Sequence, residues 1–150
     1  MSIAPSDIQF FQSSNAGSSG GVISGVQIVD STLNNLFPDV TGDEAATGKE
    51  DYRKAFVKNN HSTLTLMNPV LWLARQAQDD DVISIALGTA NDVNPVGLMY
   101  VSPLDKSSGL TFPDLAPGQS QGFWIKRTTP KGAKAFPAAA CQVAVEGDTL

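Results

Sequence analysis

Short runs of alternating apolar and polar residues follow one another along this chain, each closed by Gly, Pro, Asn or Asp. No amphipathic helix of any length interrupts them. A period of two sends successive side chains to opposite faces, the mark of a half-buried strand. Residues 22–29 place Val22, Ser24, Val26 and Ile28 on one side and Ile23, Gly25, Gln27 and Val29 on the other. Tyr52, Lys54, Phe56 and Lys58 alternate with Arg53, Ala55 and Val57, and Asn59-Asn60-His61 then turns the chain. Leu64, Leu66, Val70, Trp72 and Ala74 predict one or two strands, interrupted near Asn68-Pro69. Asp79-Asp80-Asp81 makes a charged turn before a strand carrying Val82, Ile83, Ile85 and Leu87, which Gly88 ends. Residues 98–101 are short and extended. The Pro117-Gly118 turn feeds a strand over 123–128, and residues 142–145 form the last one. About seven strands with turns of this kind predict an all-β, immunoglobulin-like β-sandwich.

Departures from the strand pattern are few. Leu33 to Pro38 is a turn-like excursion, with Pro38 holding Phe37 away from helix. Thr41 followed by Glu44 fits a capping box, but Gly48 limits any helix to about one turn. The Ser/Gly stretch 13–21 is too polar to order itself. Residues 1–21 are therefore expected to be an extended N-terminal arm with a linker, and 22–150 the sandwich domain. In the arm, Ile8, Phe10 and Phe11 form an apolar island that could add as a strand to a neighbouring molecule.

A length of 150 residues suits one domain, and 41% hydrophobic residues suffice for a core. Only 17% are charged, so neutral polar side chains must cover much of the surface. The net charge of -5 argues against nucleic acid as the main partner, since phosphate binding needs a basic footprint. A single cysteine, Cys141, excludes an internal disulfide framework and reads as a small buried hydrophobe. No charged n-region precedes an apolar stretch, and no apolar run approaches the ~20 residues that cross a bilayer. The expectation is a chain made and folded in the cytoplasm, with no membrane partner.

Chemistry-bearing constellations are sparse. His61 is the single histidine and lies in a turn, without the second histidine or cysteine pair of a zinc site. Asp79, Asp80 and Asp81 are consecutive and lack the spacing of a calcium loop, which reads as a solvated turn. The Gly-rich segment 17–25 has no Lys-Ser/Thr end and precedes no helix, so it is not a phosphate loop. Trp72 and Trp124 both sit in apolar strands and are expected in the core. No catalytic residue, cofactor or metal ligand is expected, and the chain reads as no enzyme.

Charge is unevenly placed. No lysine or arginine precedes Lys49, whereas Asp7, Asp30, Asp39, Asp43 and Glu44 all do. Lys126, Arg127, Lys131 and Lys134 lie close together with no acid between them. The bland reading is a solvated loop. The sharper one is docking of this basic stretch on acid in a neighbouring subunit or partner, with Lys131 and Lys134 ahead of Arg127 and Lys126. Head-to-tail contacts of that kind close into rings.

Three segments carry a family resemblance. Residues 13–24 read Ser-Ser-Asn-Ala-Gly-Ser-Ser-Gly-Gly-Val-Ile-Ser. Residues 51–60 read Asp-Tyr-Arg-Lys-Ala-Phe-Val-Lys-Asn-Asn, and 115–127 read Leu-Ala-Pro-Gly-Gln-Ser-Gln-Gly-Phe-Trp-Ile-Lys-Arg. Together they resemble small virion structural proteins of tailed bacteriophages. The resemblance implies that the Tyr-Arg-x-x-Phe-Val-Lys-Asn stretch starts a β-sandwich and that the Trp-bearing strand lies near its end. It further implies a homo-oligomeric part of the head-to-tail neck or collar. Its partners would be copies of itself and connector, portal-proximal or capsid proteins. Capsid decoration is the close rival, and a carbohydrate- or receptor-binding module is the reading from another class.

Overall fold

The computed structural model describes residues 3–14, 20–28, 42–76, 81–132 and 142–149. Their strands are β1 (Ile8–Ser13), β2 (Ile23–Gln27), β3 (Lys49–Asn59), β4 (Leu66–Arg75), β5 (Val82–Leu87), β6 (Leu110–Thr111), β7 (Ser120–Thr129) and β8 (Gln142–Thr149). One short helix, α1 (Gly42–Thr47), ends where Gly48 takes φ +83° and donates its N–H to the Glu44 carbonyl. A five-stranded sheet runs β2-β1-β3-β7-β5 and a three-stranded sheet runs β6-β4-β8, with every pairing antiparallel. The chain is thus all-β, with two layers as expected for a sandwich.

The alternation in the sequence decides which side chains lie between the sheets. Ala55 and Val57 of β3, Phe123 and Ile125 of β7, and Ile83 and Ile85 of β5 face inward. Leu71 and Leu73 of β4 meet them from the three-stranded sheet. From β3 to β8 the chain changes sheet at every step. Because β3 pairs with β7 and β4 with β8, the β3–β4 and β7–β8 crossings interlock. β4 is one strand, interrupted where the sequence placed a break. Asn68 sits at φ 50° before Pro69, and the register with β8 shifts between Met67 and Val70. Asn is among the few residues that tolerate this left-handed conformation, and its N–H is satisfied by Asp114 Oδ1 at 2.8 Å.

The N-terminal segment differs from the extended arm expected of it. β1 pairs with β3 of the same chain from Ile8↔Asn59 to Gln12↔Ala55, so residues 8–13 belong to the sheet. The reason is the alternation within the apolar island. Ile8 and Phe10 point to the core side, where the Phe10 ring meets Phe123 edge-on with centroids 5.9 Å apart. Phe11 points the other way, with the Lys58 amino group 5.7 Å from its ring.

Candidate interaction surfaces

The outer face of the five-stranded sheet is not left to solvent. On it, Lys54 of β3 stands opposite Trp124 of β7, and Phe56 opposite Gly122. Residues 88–100 leave β5, cross this face and return, Val101 and Ile85 exchanging backbone hydrogen bonds of 2.9 and 2.8 Å. Gly122 makes the close crossing possible, because a Cβ there would lie 2.6 Å from the Thr89 carbonyl oxygen.

A buried polar cluster ties this crossing down. The Lys54 side chain is 0% exposed. Its Nζ donates to the carbonyls of Gly21 (2.8 Å) and Asp92 (3.1 Å) and makes a close ion-pair contact with Asp92 Oδ1. Trp124, also fully buried, donates from Nε1 to Asp92 Oδ2 at 2.9 Å. The amino group lies 4.9 Å from the Phe56 centroid and 5.8 Å from that of Trp124, distances at which a cation is attracted to a ring face. Gly21 donates its own N–H to the Asp92 carbonyl, so one lysine joins β3, the 88–100 crossing and the entry to β2.

Asp92 carries a pH dependence. Burial alone pushes its carboxyl up, but the Lys54 contact and the Trp124 hydrogen bond together outweigh it and hold the group below the ordinary carboxylate range. A depressed folded-state value contributes stability that is complete above the unfolded value, about 4, and is lost as pH falls through the folded one. Urea unfolding between pH 6 and pH 2 is expected to show this acid-side loss in the native chain. The loss should be smaller in Asp92→Asn, and equal slopes in the two proteins would refute it.

Beside this cluster, the Tyr52 and Tyr100 rings meet at a tilt of 56° with centroids 5.7 Å apart, and Lys126 lies 5.8 and 5.6 Å from the two rings. The Tyr100 hydroxyl donates to the Pro95 carbonyl at 2.8 Å. Burial, followed by the proximity of Tyr52 and Asp92, raises its pKa well above that of a free tyrosine, so it is a neutral donor at physiological pH.

The strand part of the basic stretch, Lys126 and Arg127, is occupied within the chain. Arg127 faces Asp51 across β7 and β3, Nη2 to Oδ2 at 2.7 Å, with both side chains mostly buried. Lys49 adds a contact to the same carboxylate at 3.2 Å, and Lys126 pairs with Glu50 at 3.4 Å. The acid expected from a neighbour is supplied to Arg127 by its own β3. Lys131 lies exposed in the turn after β7, while Lys134 falls outside the described residues.

Other singled-out residues have structural work or lie elsewhere than expected. His61 is half-buried, and its Nδ1 accepts the N–H groups of Thr63 (3.1 Å) and Leu64 (2.9 Å), which shapes the turn before β4. Asn59, fully buried beside it, donates from Nδ2 to the carbonyls of Leu64 and Leu115. Trp124 is buried, though beneath the 88–100 crossing rather than between the sheets. Trp72 is half-buried on the outward face of the three-stranded sheet, because Leu71 and Leu73 on either side take the inward positions. Asp81 is nearly buried; Asp79, Asp80 and Cys141 lie outside the described residues. Among the described residues no group of three or more His, Cys, Asp or Glu is placed to hold a metal ion.

Three surfaces remain open. The segment from 93 to 104 exposes Val93, Val96, Met99 and Leu104, Met99 at 87%. At the end of the five-stranded sheet, β2 pairs, among the described residues, with β1 alone and exposes Val26, with Val22 exposed just before it. At the end of the three-stranded sheet, β8 pairs, among the described residues, with β4 alone. An open groove of about 340 Å³ runs beside it, lined by Ile3, Ile8 and Phe10 on one side and Val145 and Leu66 on the other. Sequence reasoning missed the 93–104 surface, whose apolar residues follow no period, and the groove, which exists only once β1 and β8 are neighbours. No protein-family model, curated protein or solved structure matches this chain.

Proposed function

We propose that this chain is a structural component of a tailed-bacteriophage virion, a homo-oligomeric element of the head-to-tail neck or collar. Its role is to hold a shape and bind neighbours, without catalysis or cofactor. The observation that carries the reading is the contrast between inside and outside. Lys54, Asp92, Asp51, Arg127 and His61 are engaged in tying strands and loops together. Large apolar side chains, by contrast, are exposed at Val93, Val96, Met99 and Leu104. A cluster of exposed apolar residues marks a surface that a partner covers. The resemblance of residues 13–24, 51–60 and 115–127 to small virion proteins supplies the setting.

An immunoglobulin-like topology belongs to the same proposal. The order β1-β3-β7-β5 corresponds to strands A-B-E-D of that fold, and the β4-β8 pair to C-F. β2 is an addition beyond strand A, and no described strand occupies the place of G beside β8.

Electron microscopy of particles carrying a label on this chain tests the location. Label in a ring at the head-to-tail junction supports the neck reading. Label distributed over the head moves the protein to capsid decoration. Absence from the particle, with glycan binding that quenches Trp72 fluorescence, would replace both by a carbohydrate-binding module.

A further inference from the structure

We propose that the edge of β8 that no described strand covers, and the groove beside it, receive the β2 edge of a second copy of this chain as an added strand. The inference rests on the homo-oligomer reading and names the contact that makes it.

The shape of the site defines the class of occupant. An unpaired strand edge offers a row of backbone donors and acceptors, which an extended segment satisfies and a helix does not. The adjoining groove is mainly apolar, with Ile8 and Phe10 from β1 and Val145 from β8, and Glu146 also lines it. The incoming strand must therefore also present apolar side chains to it. In an immunoglobulin-type sandwich this place belongs to strand G, which would cover the inner side of strand A. Here β1 holds the position of strand A, and Ile8 and Phe10 are only half-buried.

Charge then selects among the edges the chain itself presents. β8 ends in exposed Glu146 and Asp148. Pairing β8 with β8 of another copy would bring these carboxylates together, and like charges across a strand pair are destabilising. β2 carries no charged residue, no other described strand pairs along its outer edge, and Val22 and Val26 flank the small Ser24 on one of its faces. Val22 and Val26 are 51% and 55% exposed in the single chain, a surface left for burial against a neighbour. Because β2 and β8 are unlike surfaces, the contact is heterologous, the type that propagates into rings or filaments unless two copies exchange edges reciprocally.

Sedimentation velocity of the full chain and of Val26→Glu, Val26→Lys and Glu146→Lys tests this, with hydrogen exchange as a second readout. All three substitutions fall at exposed positions, and the Glu146 pair with Lys106 at 3.1 Å is a surface one that contributes little, so each variant should melt near the native temperature. Val26→Glu sets a carboxylate against Glu146 and Asp148 and should weaken self-association about fivefold. Val26→Lys should weaken it less, and a mixture of Val26→Glu with Glu146→Lys should recover mixed oligomers. In the oligomer, amides of residues 23–27 and 142–149 should gain protection over the diluted monomer. An oligomer indifferent to all three changes and unprotected at both strands overturns the strand pairing while leaving the homo-oligomer reading intact. A native chain that stays monomeric at every concentration overturns both.

Discussion

Replacing Trp124 by alanine is expected to destabilise the protein by about 3–5 kcal/mol, the usual cost of deleting a large buried aromatic side chain. Trp124 is 0% exposed and lies between the sheet and the 88–100 crossing. The substitution removes the packing surface and also the N–H that binds Asp92 Oδ2. Against a typical margin of 5–15 kcal/mol, thermal melting should fall steeply. Trp124→Phe separates the two losses: it keeps a ring, loses the donor, and should cost about 1–3 kcal/mol. Trp72→Ala is the internal comparison. Its half-buried, outward-facing ring should matter much less to melting. Equal losses at the two positions would show that the 88–100 crossing does not seal Trp124 as described.

Asp92→Ala should be comparably damaging, about 3–5 kcal/mol, for a different reason. It leaves the wholly buried Lys54 amino group with two carbonyls and no counter-charge, and an uncompensated buried charge costs far more than the pair itself contributes. Removing both charges together, as Lys54→Met with Asp92→Leu, should recover much of the loss, since apolar replacements of a buried pair are often neutral. Urea denaturation of Lys54→Met, Asp92→Leu and the double variant closes the cycle. Strictly additive losses would mean that the two residues do not act as a pair. Limited proteolysis adds a local readout: the single variants should be cut faster within 88–100 than the native chain.

Much of this architecture was legible in the residues. The alternation of Arg53, Ala55 and Val57 against Tyr52, Lys54, Phe56 and Lys58 fixed both faces of β3, and Gly48 and the Asn68-Pro69 break fell where their backbone preferences put them. What could not be read depended on pairing at a distance. Ile8 and Phe10 alternate as strand residues, but nothing local says whether the strand they form joins this chain or another. Arg127 looked like a docking cation because its acid lies 76 residues away, opposite it only once β3 and β7 are in register. Trp72 and Trp124 have equally apolar neighbours, and which face each takes depends on the phase of its strand. Lys54 reads as one polar position in an alternating strand; its burial follows from a crossing loop that carries no periodic signal. The interaction surfaces were the least legible part, since exposure at Met99 and an unpaired edge at β8 are properties of the assembled sheets.

Native mass spectrometry of the purified full chain tests the central claim most directly. The account predicts a defined homo-oligomer that dissociates on dilution into folded monomers. A folded chain that remains monomeric across the accessible concentration range, and that gains no partner when mixed with disassembled virions, would contradict it.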